Sequence, residues 1–369
     1  MAYKTIFRDS NIPVVDYQRV KLGNVRFQVR TSQTNKQTIE EVDLDGTTCK
    51  STDRFISSLS SLYGFNRTIF NFFHPNEVVE RISQTKARDE IRVAVVEKED
   101  GKKVALGASF IGKPYLHADE VHNMLAMSSI PSNKISFNDG VIESWHDLRF
   151  GESNLKVGSD EFIAGFVMHT PIDGYGSPNA YLSMLRQICT NGMVALSQAF
   201  RSTISLGSVK GSAIPTMTRF VESYNDEAGY CALKDRLESS TKSWASIREA
   251  HDLMKVLNNP NMNSIHNGVK NGNDEFGTDI NQRLNSMAGS ATKLYSLSTA
   301  TAISAKRAAK IPMQCSVYDL INFATEVASH RANAQQRRMI DGWIGSLIGN
   351  EFDLEGTKQA NETFTDMFL

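Results

Sequence analysis

Two Asp-Gly dipeptides, each set between β-prone runs, constrain the fold of this chain more than any other feature. Asp100-Gly101 separates the runs 91–96 and 104–111, and Asp139-Gly140 separates 135–137 and 141–145. A tight two-residue hairpin turn favours Asp-Gly because its central residues take positive φ angles. The sequence therefore predicts two antiparallel hairpins.

Other local patterns predict the elements around these hairpins. A helix is expected from Asp53 as N-cap to Gly64, and a second one after Pro75, because apolar residues recur there at helical spacing. Alternation of apolar and polar residues predicts one strand over 20–29, and the apolar run 162–168 predicts another. The acidic patch 40–45 is expected to be a solvated loop.

The pattern changes after Pro178. Tyr181, Leu182, Leu185, Ile188 and Cys189 fall at helical spacing, and from about residue 215 the chain reads as helices separated by polar loops. The longest loop, 258–277, is rich in Asn and Gly.

These elements together predict an α+β fold. Its mainly antiparallel sheet of hairpins would carry packed helices and be followed by a helix-rich C-terminal region. The expected domains are an N-terminal arm with one strand at 1–53, an α+β core at 54–214 and a helical region at 215–369.

Composition narrows the classes of protein. A hydrophobic content of 40% supports a sizeable core, and a net charge of −1 removes the simple argument that a basic chain binds nucleic acid. The four cysteines are scattered, which is typical of reduced thiols in a cytosol. Because no stretch approaches the roughly 20 apolar residues of a spanning helix, we expect no membrane association and a cytoplasmic location in a bacterial host.

Motifs for cofactors and metals are not found in the sequence. Gly174-Tyr175-Gly176 lacks the third glycine of a dinucleotide site, and His117 and His122 are five residues apart, which places them on different faces of a helix. We therefore expect no cofactor, no metal and no catalytic residue. An alternative that stays open is a metal-dependent nuclease using Asp89, Asp100 and Lys102, whose carboxylates would hold Mg²⁺.

Charge is distributed unevenly along the chain. The segments 174–221 and 280–318 contain no Asp or Glu but several cations. If both segments contribute to one face, that face attracts a polyanion, and hydroxyl and amide side chains there can donate to phosphate oxygens. The cations predicted to bind nucleic acid are Arg186, Arg201, Lys210, Lys306, Arg307 and Lys310.

Several blocks resemble a known family. They are Phe-Ile-Ala-Gly-Phe at 162–166, Gly-Tyr-Gly-Ser at 174–177, a run at 185–193 that contains Arg-x-x-Cys-Thr-Asn-Gly-Met, and two longer blocks at 81–111 and 318–326. Together they resemble the phage and plasmid family called domain of unknown function 932, over roughly residues 54–350. The family's usual run ending in Arg-Tyr has a looser form here. The resemblance implies a mobile-element setting rather than a particular reaction.

A second resemblance is shorter. Tyr-Gly-Phe-Asn at 63–66 is similar to an aromatic-Gly-Phe-Asn element of single-strand annealing proteins. Together these features lead to one hypothesis: the chain binds single-stranded DNA, holds its bases exposed for strand annealing in phage or plasmid recombination or replication, and acts as a homo-oligomer. A nuclease and a phage structural or packaging protein are the alternatives.

Overall fold

The computed structural model describes residues 12–31, 37–85, 89–147, 154–157, 160–186, 192–194, 201–206, 213–224, 227–257, 283–284, 286–287, 312–330, 332 and 334–351. The chain divides into two compact units. Unit 1 comprises Met1–His146, Met168–Ala180 and Thr203–Tyr224, and unit 2 comprises Asp147–Val167, Tyr181–Ser202 and Asn225–Leu369.

Unit 1 is built on a six-stranded sheet. Its strands, in the order β1-β5-β6-β4-β3-β2, are β1 (Val15–Lys21), β2 (Val25–Thr31), β3 (Gln37–Leu44), β4 (Thr47–Ser51), β5 (Glu90–Glu97) and β6 (Lys103–Phe110). Neighbouring strands are antiparallel except β4 and β6, which pair in parallel at Lys50↔Val104 and Ser51↔Ala105.

Two helices, α1 (Asp53–Tyr63) and α2 (Pro75–Thr85), supply apolar side chains to the core on one face of this sheet. Helix α1 begins where the Thr52 side chain accepts a hydrogen bond from the Phe55 amide, and it ends at Gly64, whose φ of 70° is a left-handed cap. The buried Phe55 and Leu59 pack with strand residues such as Phe27. The predicted helices are confirmed, with the N-cap one residue earlier than expected.

The hairpins predicted from the Asp-Gly dipeptides are confirmed. Asp100-Gly101 joins the antiparallel strands β5 and β6, and Asp139-Gly140 joins β7 (Ser132–Asn138) to β8 (Val141–Asp147). The remaining described helices of unit 1 are α3 (Ala118–Met127) and α4 (Ala213–Ser223).

Two predictions for the N-terminal part are wrong. The single strand expected over 20–29 is interrupted by a 3-10 turn at Leu22–Asn24, so β1 and β2 are separate strands. The acidic patch expected to be a loop lies in β3, where Val42 and Leu44 are buried and Glu40 and Glu41 are exposed. A strand with one face in the core and the other in solvent accommodates such alternation, because successive side chains point to opposite faces.

Unit 2 combines short strands with helices. Its strands are β9 (Asn154–Val157), β12 (Gly192–Val194), β14 (Trp244–Ser246), β15 (Pro312–Ser316) and parts of β10 (Asp160–Pro171), β11 (Asn179–Arg186) and β13 (Arg201–Thr203). Its helices are α5 (Glu227–Lys242), α6 (Ile247–Leu257), α7 (Val317–His330) and α8 (Ala334–Ser346), the last followed by a π turn at Leu347–Glu351.

The helix predicted over 181–189 is wrong, because β11 occupies most of this stretch as a strand. Ala180, Leu182 and Met184 are fully buried at every second position, which is the period of a strand. A short apolar run satisfies both periods, and tertiary packing selected the extended form. The expected helices beyond residue 215 are confirmed for α4 to α8, but β14 and β15 form an antiparallel pair among them. The loop predicted over 258–277 lies outside the described residues.

Unit 1 contains an ion pair with a buried carboxylate. Asp173, 1% exposed, follows β10 and accepts hydrogen bonds from Arg54 of α1, with Nε 2.5 Å from Oδ2 and Nη2 3.0 Å from Oδ1. The amide of Tyr175 donates to the same carboxylate at 3.0 Å. Burial raises the pKa of Asp173, and the hydrogen bonds and charge of Arg54 oppose that rise.

Glycine backbones make room for this carboxylate. A Cβ built on Gly140 would lie 2.7 Å from Asp173 Oδ2, and one built on Gly107 would come closer still. A contact that short forces the buried ion pair to move. Strand β6 and the turn between β7 and β8 therefore approach Asp173 closely only because both positions lack a side chain.

A second cation, Arg92 of β5, holds the segment that follows β6. Its guanidinium lies 3.4 Å from the centroid of the Tyr115 ring, and Nη2 donates to Ser109 Oγ and to the Lys113 carbonyl, both at 2.9 Å. Tyr17 of β1 donates to the Ile172 carbonyl at 2.8 Å. These contacts attach the segment after β6, and the residue that precedes Asp173, to the sheet.

We expect Gly107→Ala to destabilise unit 1 by about 2 kcal/mol or more, as overpacking of a rigid site does. The measurement is chemical denaturation followed by circular dichroism. Gly112→Ala is the matched control, since a Cβ there meets nothing within 4 Å. Equal stability of the two variants would contradict the close approach of β6 to Asp173.

Replacement of Arg54 tests how much this cation stabilises the buried Asp173 carboxylate. We expect Arg54→Met to lower the free energy of unfolding by about 3 kcal/mol at neutral pH, because it leaves the Asp173 carboxylate without its cation. The raised pKa of Asp173 rises further in the variant, so its deficit relative to wild type should shrink as the pH falls from about 8 to about 5 and the carboxyl becomes neutral.

The control for this measurement is Arg67→Met. Arg67 lies 2.6 Å from Asp53, and both side chains are largely exposed, 45% and 74%. Loss of that pair should change stability by no more than about 1 kcal/mol. A deficit in Arg54→Met that is as small as in Arg67→Met, or that grows as the pH falls, would refute the role of Arg54.

Candidate functional site

The structure describes only part of the predicted set of DNA-binding cations. Arg201 is exposed at the start of β13, a strand that pairs with β11, and Arg186 ends β11 with its side chain outside the described part of the chain. Lys210, Lys306, Arg307 and Lys310 lie outside the described residues altogether. Convergence of the two acid-poor segments therefore stays a prediction.

One further cation of the second acid-poor segment is neutralised. Arg283 makes two hydrogen bonds to Glu326 of α7, at 2.8 and 3.0 Å, and its guanidinium lies 4.9 Å from the Phe323 ring centroid. The hydrogen bonds to Glu326 raise the pKa of Arg283. Glu326, which lies outside the acid-poor segment, therefore neutralises the charge of Arg283.

The residues proposed for a nuclease do not form a shared metal site. Asp89 precedes β5 and Asp100 follows it, so the eight residues of that strand place them roughly 26 Å apart. Asp100 instead accepts a hydrogen bond from the Lys102 amide at 3.1 Å within the turn. Among the residues that the structure describes, no group of three or more His, Cys, Asp or Glu side chains could hold a metal ion.

Unit 2 contains an open cavity of about 600 Å³, a size within the range of small-molecule sites. It lies at the end of α5, along the pair β14 and β15, and at the start of α7. The cavity is lined by Val157, Asp160, Thr241, Lys242, Ser243, Trp244, Gln314, Cys315, Ser316, Tyr318, Asp319 and Asn322.

Local capping and strand pairing position this lining. Trp244 pairs with Ser316 across β14 and β15, and the Ser243 carbonyl accepts a hydrogen bond from the Val317 amide at 2.8 Å. Helix α7 is capped reciprocally, since the Asp319 carboxylate accepts from the Ser316 amide at 3.0 Å and the Asp319 amide donates to Ser316 Oγ at 3.0 Å. These contacts fix the end of α5 beside the start of α7.

Trp244 and Lys242 make the cavity suitable for a ligand that is both flat and anionic. Trp244 is 38% exposed, which is unusual for the largest apolar side chain, and Lys242 is exposed in the last turn of α5. An indole ring can stack on a planar ring, and a lysine ammonium can neutralise a phosphate.

The deeper wall is polar and buried. The Tyr318 hydroxyl donates to Asp160 Oδ2 at 2.5 Å. Both residues are buried. Beside them, burial raises the pKa of Cys315 to about 12, so its thiol is protonated at neutral pH.

Sequence reasoning did not identify Trp244 or Lys242 as site residues. Two signals lay near the cavity: the block 318–326, quoted for its resemblance to the phage family, and the end of the acid-poor segment 280–318. Because only helices were expected beyond residue 215, the pair of strands β14 and β15 that places Trp244 at this cavity was not predicted.

Comparisons with family models, with curated proteins and with solved structures found no match for this chain. The resemblance to the phage family and to single-strand annealing proteins therefore stays a prediction. In the described ranges, no helix is long and apolar enough to cross a bilayer.

The thiol of Cys315 should be inert although it lines the cavity. We expect iodoacetamide at neutral pH to alkylate the exposed Cys231 and to leave Cys315 and the buried Cys49 unmodified, because burial raises their pKa values to about 12 and about 11. Peptide mass spectrometry of the native protein measures this. Alkylation of Cys315 as fast as Cys231 would show a reactive thiolate and point to catalysis.

Proposed function

We propose that this protein binds single-stranded DNA through the unit 2 cavity, with an unpaired base stacked on Trp244 and the sugar-phosphate backbone near Lys242. The observation that carries the proposal is the exposed indole beside an exposed ammonium on an open cavity. Single-strand binding commonly combines such aromatic stacking with cations that follow the backbone.

The concave shape favours unpaired strands. A base in a duplex must leave its stack before its ring can reach the indole, whereas a base in a single strand is already accessible. The exposed Arg201 is a further cation of unit 2 and supports attraction of a polyanion. The charges of the protein as a whole nearly cancel, so affinity would depend on these local cations.

We propose that this binding serves strand annealing in phage or plasmid recombination or replication, and that the protein acts as a homo-oligomer. A protein that stacks single bases without breaking bonds keeps the other bases available for pairing. Fluorescence energy transfer between complementary labelled strands tests this step. Annealing no faster than in the absence of protein would remove the annealing role and leave the binding role standing.

Trp244→Ala should weaken binding of a labelled single strand about 5- to 100-fold, the loss expected when one stacked base loses its platform. Trp244→Phe should retain most of the affinity because it keeps a ring. Fluorescence polarisation at low salt measures both, with a duplex of the same length as the weaker ligand. Wild-type protein that binds no single strand, or Trp244→Ala that binds as wild type does, would refute the proposal.

Lys242→Gln tests the electrostatic part. We expect it to reduce the slope of log K against log salt concentration by about 0.7, the value for one phosphate contact on a single strand. Lys234→Gln is the matched control, because Lys234 lies on the same helix, outside the cavity lining, 3.9 Å from Glu238. Equal slopes for the two variants would exclude Lys242 from the contact.

A further inference from the structure

Unit 1 contains a cavity of its own, at the place where strands β4 and β6 separate. The two strands pair in parallel at Lys50↔Val104 and Ser51↔Ala105. Before these residues, β4 leads back to its hairpin turn with β3 and β6 leads back to its turn with β5, so a gap opens between two hairpins. This gap is an open cavity of about 490 Å³. We call it the lysine cleft, because its lining includes Lys50, Lys102 and Lys103.

The three lysines bring positive charge to the lysine cleft. Lys50 and Lys102 are exposed, and Lys103 is half-buried. Burial raises the pKa of Cys49, another lining residue, to about 11, and the positive charge of Lys103 opposes this rise, so the ammonium lies near the thiol. Within the described ranges, neither Lys50 nor Lys103 forms an ion pair with an acid. Their charges are therefore available to a ligand.

The acids around the lysine cleft do not cancel this charge. Asp43 accepts a hydrogen bond from an amide of the β3–β4 turn at 2.9 Å, and Asp100 accepts one from the Lys102 amide at 3.1 Å, so each carboxylate stabilises its own turn. Asp100 also lies 3.7 Å from Lys102 Nζ, but an ion pair between exposed groups is weak. Among the described lining residues only Glu41 is acidic, and it is exposed on β3 opposite Lys50. The lining keeps an excess of cations.

The backbone of β4 adds a donor. Both residues of the β3–β4 turn have positive φ, 55° and 89°, which makes it a two-residue hairpin turn whose flanking residues, Leu44 and Thr47, are the hydrogen-bonded pair. Successive residues of a strand direct their backbone groups to opposite sides, so Thr48 directs its N–H away from β3. Pairing with β6 begins only at Lys50, and the Thr48 amide therefore faces the lysine cleft.

We propose that the lysine cleft binds a phosphate group. Ammonium groups and a backbone N–H are donors that phosphate oxygens accept in proteins. The described lining contains no aromatic side chain, so stacking of a base contributes nothing and the group recognised is the phosphate itself. Its sources are the backbone of a nucleic-acid strand and free phosphate in solution. The site lies in unit 1 and does not involve Trp244, so it goes beyond the proposed function and does not depend on it.

Lysine acetylation of the native full-length protein, followed by peptide mass spectrometry, tests the proposal. Inorganic phosphate at ten times its dissociation constant should slow acetylation of Lys50 and Lys103 up to about tenfold, compared with chloride at equal ionic strength, because only the unoccupied fraction reacts. Lys21, an exposed lysine of β1 outside the lining, should react at an unchanged rate. Unchanged rates at Lys50 and Lys103 with inorganic phosphate and also with oligo(dT) overturn the proposal.

Oligo(dT) in place of inorganic phosphate distinguishes the sources. Protection by both probes supports a site that accepts either source, protection by oligo(dT) alone assigns the site to a nucleic-acid backbone, and protection by inorganic phosphate alone assigns it to free phosphate. Protection by inorganic phosphate should be the same in Trp244→Ala. The phosphate site and the single-strand site of unit 2 can therefore fail separately.

Substitution of one lysine locates the site. Inorganic phosphate should raise the midpoint of thermal unfolding of the wild type and of the control Lys21→Gln equally, and that of Lys103→Gln less, because an anion that binds the folded state stabilises it by mass action. A general effect of the salt acts on all three proteins alike. Lys50→Gln serves if Lys103→Gln does not fold. Equal phosphate-dependent shifts in every folded variant overturn the proposal.

Discussion

The ion pair between Arg54 and Asp173 is the contact on which unit 1 depends. A carboxylate that is 1% exposed requires a cation and hydrogen-bond donors, and Arg54 together with the Tyr175 amide provides them. The pair joins the first turn of α1 to the turn after β10, 119 residues away in sequence. Glycines at 107 and 140 are required because the carboxylate occupies the space of their missing side chains.

In unit 2, hydrogen bonds of polar groups shape the candidate site. At the end of α5 and the start of α7, the surrounding hydroxyl groups donate their protons to backbone carbonyls and to carboxylates of the protein. An exposed tryptophan and lysine complete its lining. The contacts that stabilise the helix ends therefore also position the polar lining of the cavity.

The elements that the sequence predicted well are those with local causes. The hairpins at Asp100-Gly101 and Asp139-Gly140 follow from turn chemistry, and α1 and α2 follow from caps and helical periodicity. The strand β11 was mistaken for a helix because its apolar residues satisfy both periods, and only packing distinguishes them. Little of the candidate site could be predicted from the sequence. Trp244 and Asp160 line the cavity from separate parts of the chain, and no local motif marks either residue.

By itself the sequence determined the α+β class, most helix positions and the two tight turns, because each depends on a few neighbouring residues. Tertiary structure alone decided the parallel pairing of β4 with β6, the neutralisation of Arg283 by Glu326, and the meeting of Trp244 with the Asp160 and Tyr318 pair. Such contacts join residues far apart in sequence, and their free energy depends on burial and on which polar groups find partners, which local propensity does not encode.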